Sequence, residues 1–91
     1  MNKLRLRVAA IDLERLASEA LAAGYVDASG LVRGRIADLI QLAKADQIDS
    51  PVKVGNGFDY AFSETRLGEC VELWKAWLEF IMYIEDYDLR P

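Results

Sequence analysis

The stretch from Arg66 to Tyr87 constrains what this chain can fold into more than any other. At helical spacing it carries one apolar stripe, Leu67, Val71, Trp74, Leu78 and Ile81, beside a second, Cys70, Leu73, Trp77, Phe80, Ile84 and Tyr87. Together the stripes cover more than half of a helix circumference, beyond the apolar arc of roughly 100° typical of a surface helix. Only Glu69, Glu72, Lys75, Glu79 and Asp86 form a polar strip. Such a helix needs neighbours on two sides, from its own chain or from a partner subunit. The chain has 91 residues, enough for one small domain with a thin core, and a strongly apolar helix in so short a chain often completes its burial in an oligomer. A homodimer is therefore expected.

Several function classes are hard to reach from this composition. The chain contains no histidine and a single cysteine, Cys70. An internal disulfide, a His-based zinc site and a His-dependent triad are all excluded. Cys70 sits on an apolar stripe with no base in view, which reads as a core thiol. Asp46, Asp49, Asp59 and Glu64 are scattered around turns and form no carboxylate pair, so neither an enzyme nor a cofactor is expected. The N-terminus alternates charge with leucine and has no apolar signal region, and no apolar run approaches the ~18 residues of a membrane span. A cytoplasmic protein is expected. The formal net charge is −4. Residues 1–45 carry seven basic and five acidic residues, whereas residues 46–91 carry four basic and ten acidic ones. That asymmetry permits an anion-binding first half.

Lys3 to Val8 alternates strictly, with Leu4, Leu6 and Val8 on one side and Lys3, Arg5 and Arg7 on the other. Period two predicts a strand with one buried and one cationic face. An early helix competes, because Leu6, Ala10, Leu13, Ala17 and Leu21 share a helical stripe. A helix is expected over residues 11–23, stopped by Gly24. A second, capped by Asp27 or Ser29, runs to about Ala45 with Leu31, Val32, Ile36, Leu39, Ile40 and Ala43 as core. Gly30 and Gly34 weaken its start by about 1 kcal/mol each. Pro51 bars continuation. Residues 52–62 alternate around Gly55-Asn56-Gly57 and predict a β-hairpin. Ser63 or Thr65 caps the last helix. The expected fold is one domain, mainly α with a small β component: a strand-helix-helix unit over 3–45, then a hairpin and a long amphipathic helix over 46–91.

The order strand, helix, glycine turn, helix over residues 3–43 resembles the ribbon-helix-helix (Arc/MetJ-type) family of DNA-binding repressors. The last strand residue, Val8, precedes Gly24 by sixteen positions. Leu16 and Ala20 fall at core positions of the family's first helix. Leu31-Val32-Arg33, Ile36 and Ile40 follow its second-helix pattern. The turn is one residue longer than usual, Gly30 replaces a frequent Glu, and Asp12 stands where an apolar residue is common. The resemblance implies a homodimer whose paired strands enter the major groove of operator DNA. Lys3, Arg5 and Arg7 would meet base edges. Ser29, at the start of the second helix, would meet phosphate, helped by Arg33 and Arg35. A transcriptional autorepressor or antitoxin-like regulator is implied.

Composition alone supports a second reading. Small acidic proteins with aromatic surface often occupy another protein's site, as antitoxins, immunity proteins and anti-CRISPR inhibitors do. Trp74, Trp77, Phe80, Tyr83 and Tyr87 would then be the anchors for a protein partner. The position of residues 3–8 separates the two readings: a strand across a two-fold axis favours DNA, a helix packed on the last helix favours a protein partner.

Overall fold

A computed structural model describes residues 2–54 and 58–86. In chain order it contains α1 (Lys3–Ala22), a 3₁₀ segment (Val26–Leu31), α2 (Arg35–Lys44), α3 (Asp59–Glu64), a second 3₁₀ segment (Arg66–Glu69) and α4 (Val71–Ile84). There is no β-strand among the described residues.

The N-terminal strand is thus replaced by the first two turns of α1. Asn2 is its N-cap: the side-chain carbonyl accepts the Arg5 backbone N–H at 3.0 Å, satisfying one of the donors that a helix start leaves unpaired. The stripe that competed with the alternation supplies the core face. Leu6, Ala9, Ala10, Leu13, Ala17 and Ala20 are buried, and the alternating set is split, with Leu6 inside and Leu4 and Val8 outside. Four of those six are alanines, which favour helix and let a neighbouring helix approach closely. α4 is that neighbour and makes the most extensive contact with α1; α2 comes next.

Gly24, at φ 99°, ends α1 where its place in the sequence predicts. Tyr25 N–H returns to Ala20 O at 3.0 Å and Gly24 N–H to Leu21 O at 3.1 Å, the paired hydrogen bonds of a Schellman cap. The expected second helix is divided. Its first part is the 3₁₀ segment, and Gly34, at φ 88°, is the N-cap from which α2 starts.

The hairpin is also absent. Residues 52–54 run beside the end of α4: Val52 N–H donates to Ile84 O at 2.9 Å and Val54 N–H to the Glu85 carboxylate at 2.7 Å. The glycine turn, 55–57, lies outside the described residues. The second arm is α3, because Phe58, Ala61 and Phe62 also satisfy helical spacing and have an aromatic partner. Phe58 meets Phe62 edge-on at 5.6 Å and Trp77 at 5.2 Å, while Phe62 stacks on Trp74 at 5.4 Å. These centroid distances lie in the favoured range for aromatic pairs. Thr65 caps the 3₁₀ segment, accepting Leu67 N–H at 3.1 Å, and α4 begins only after Cys70.

The stripe of α4 that carries Trp77 is therefore covered within the chain, by α1 on one side and the α3 aromatics on the other, while Val71, Trp74 and Leu78 of the other stripe stay partly exposed. Trp77, Phe80, Leu73 and Ile84 are its fully buried residues, and Trp77 Nε1–H donates to the Asp59 carboxylate at 2.7 Å.

On the far side, α1 is tied to α2 through Glu14, which accepts from Lys44 Nζ at 2.6 Å and from the Gln41 amide. The Lys44 bond, then Gln41, holds the Glu14 carboxyl below its ordinary pKa. A carboxylate with a lowered folded-state pKa stabilises the fold above its unfolded pKa, and that stability is lost as pH falls through the folded value. Glu14→Gln is expected to cost about 0.5–1 kcal/mol at neutral pH, screened because the pair is partly exposed, and nothing once the carboxyl is protonated. Thermal melts of both proteins at neutral pH and at pH well below the carboxylate range check this; an equal gap at both pH values refutes it.

Candidate interaction surface

The residues expected to read DNA do not form one face. Lys3 is tied to Asp49 at 2.7 Å. Arg5 and Arg7 are exposed but lie two residues apart on a helix, about 200° around its axis. Arg5 lines a groove between α1 and α4 with Leu4, Val8, Ala9, Glu79 and Tyr83. Arg35 lines a separate hollow with Gly30, Ile36, Val54 and Phe58, and donates to Lys53 O at 3.0 Å. Ser29 is half-buried in the 3₁₀ segment, where its carbonyl accepts the Val32 and Arg33 N–H groups. Arg33 is exposed.

The expected aromatic anchors divide too. Trp77 and Phe80 are core and present nothing to a partner. Tyr83 is half-buried at the groove, Tyr87 lies outside the described residues, and Trp74 alone keeps a substantial exposed edge.

Two other rows are exposed instead. On α1 they are Leu4, Val8 and Ile11, at 72, 51 and 43% exposure; on α4 they are Val71, Trp74 and Leu78, at 55, 36 and 52%. Each row is spaced as one side of a helix, i, i+4, i+7 on α1 and i, i+3, i+7 on α4, turned away from the core. The two helices run antiparallel, since successive hollows between them join Leu4 and Val8 to Tyr83, Asp12 and Arg15 to Lys75, and Ala20 to Leu73. The α1 row was legible as helical spacing, but a strand reading hides it. The α4 row was legible as part of an apolar stripe, but periodicity alone does not say which part of a wide apolar face is covered.

Exposed Glu72, Lys75 and Glu79 lie along the α1 side of the α4 row, Lys75 nearest to it, and none of the three forms an ion pair among the described residues. Cys70 is half-buried; burial, then the neighbouring Glu69 charge, pushes its thiol up, which disfavours the nucleophilic thiolate. Among the described residues no three His, Cys, Asp or Glu side chains are grouped to hold a metal, and no helix is long and apolar enough to cross a membrane.

No protein-family model, curated protein or solved structure matches this chain.

Proposed function

We propose that this chain is a small, non-enzymatic protein-binding module that blocks a partner's site by laying the outer side of α4 into an apolar groove with a basic rim. The observation that carries the reading is the row Val71, Trp74, Leu78, exposed at i, i+3, i+7. An amphipathic helix docking in a groove uses this anchor spacing. Trp74 is the natural central anchor, since tryptophan is enriched among the few residues that dominate binding energy. Its stack on Phe62 holds the ring in place before binding, which lowers the entropy lost on docking. The net charge of −4 favours a basic rim and speeds encounter with it. The operator-reading alternative required paired strands at residues 3–8, and those residues are helical.

The test is affinity capture from the native host's lysate with the intact chain and two surface variants. Leu78→Glu places a charge in the row one turn from Trp74 without touching the core and should abolish retention of one specific protein, a loss of at least ~2 kcal/mol. Leu4→Glu, on α1, should leave that protein bound. Retention indifferent to Leu78→Glu, or retention of nucleic acid in place of protein, would refute the reading.

A further inference from the structure

We propose that α1 is the seam of a symmetric dimer, in which two copies of this chain pair their α1 helices antiparallel across a two-fold axis between Val8 and Ile11. The proposal concerns a different face from the α4 row and does not rest on the function assigned to it.

The apolar row Leu4, Val8, Ile11 points away from the core and is continued one turn on by the aliphatic stem of Arg15. The alternating steps of four, three and four residues are those of a coiled-coil seam. The charges on its flanks select the partner. One flank carries Arg5 and Asp12, the other Arg7 and Glu14; within each flank the signs are opposite and the spacing is seven residues. An antiparallel two-fold sets each flank against the same flank of the second copy, reversed. Val8 then meets Ile11 of the second copy, and Leu4 meets its Arg15 stem. On the same register Arg5 faces Asp12 and Arg7 faces Glu14 on both sides of the axis. A parallel pair would keep only the contact of Arg7 with Asp12 and would set Glu14 against Glu19. The surface is thus complementary to itself, as an isologous interface requires.

The chain leaves these charges available. Arg5, Arg7 and Asp12 form no ion pair among the described residues, while Glu14 already accepts from Lys44 and Gln41 and would gain a further cation. A seam of three turns on one helix buries less than the ~800 Å² per partner of a standard interface, so the dimer should dissociate on dilution.

Sedimentation velocity on the full chain, over a concentration series, tests this. The expected mass rises from one chain to two with concentration. Val8→Glu should keep the circular dichroism spectrum and melting temperature of the parent yet remain at one chain throughout. Arg5→Asp and Asp12→Arg should each weaken association about tenfold. Combining them restores opposite charges in the proposed register and should recover most of that loss. A single-chain mass at every concentration up to the millimolar range overturns the proposal. So does a dimer that survives Val8→Glu, or a double variant no tighter than either single one.

Discussion

Replacing Trp77 by alanine is expected to cost about 3–5 kcal/mol, a large part of the ~5–15 kcal/mol that holds a small domain together. Trp77 is fully buried, touches Phe58 at 5.2 Å and Phe80 at 6.4 Å, and donates its indole N–H to Asp59. The substitution removes the largest side chain from the junction of α3 and α4 and leaves a cavity that rigid neighbours fill only in part. It also deprives Asp59 of its donor. Urea unfolding followed by the fluorescence of the remaining Trp74 measures the effect. Trp77→Phe separates the two contributions: it keeps most of the ring volume and loses the hydrogen bond, so it should cost about 1 kcal/mol for the bond plus a smaller packing loss. An alanine variant within 1 kcal/mol of the parent would mean that Trp77 is not at the centre of the core.

Gly68→Ala should have an effect of similar size through the backbone. A Cβ at position 68 would lie 2.1 Å from the Phe62 carbonyl oxygen and 3.3 Å from its carbon. The obstacle is main chain at the end of α3, so no rotamer change relieves it. The second 3₁₀ segment must move away from α3, and Phe62 carries the stack with Trp74 and the edge contact with Phe58. A loss of ~2–4 kcal/mol is expected, at the upper end for overpacking by one methyl group. The same urea titration reads it, and the near-ultraviolet circular dichroism of the aromatic cluster should change with it. A variant as stable as the parent would show that α3 and the 3₁₀ segment are not held this close.

These two sites differ in how far the sequence foretold them. Trp77 stands on the apolar stripe that singles out residues 66–87, and a buried tryptophan there is the simplest reading. Gly68 gives no signal: a glycine next to a helix start is usually a turn residue, and only the approach of the Phe62 carbonyl shows why no side chain fits. The candidate surface was legible in the same partial way. Trp74 was named as an anchor and is exposed in part, yet Trp77 and Phe80, named with it, are core.

Some signals in this chain act locally and need no neighbour. Gly24 ends α1 because only a residue tolerant of positive φ serves there. The double stripe of α4 marked it as the helix the rest of the chain packs around, and the absence of histidine removed whole classes of chemistry. What tertiary structure decided is every place where two periods were both satisfied. Leu4, Leu6 and Val8 fit a strand as alternation, and Leu6, Ala10, Leu13 and Ala17 fit a helix. Phe58, Tyr60 and Phe62 alternate, and Phe58, Ala61 and Phe62 make a helical stripe. Over five or six residues neither pattern outweighs the other, since a short apolar segment gains burial in either form. The contest went to helix because α4 offered a long apolar partner to the alanine side of α1, and Trp74 and Trp77 offered ring faces to Phe62 and Phe58. The free energy that chose between them lies in contacts between residues some sixty positions apart for α1 and about twelve to nineteen for α3, beyond the span of any local periodicity.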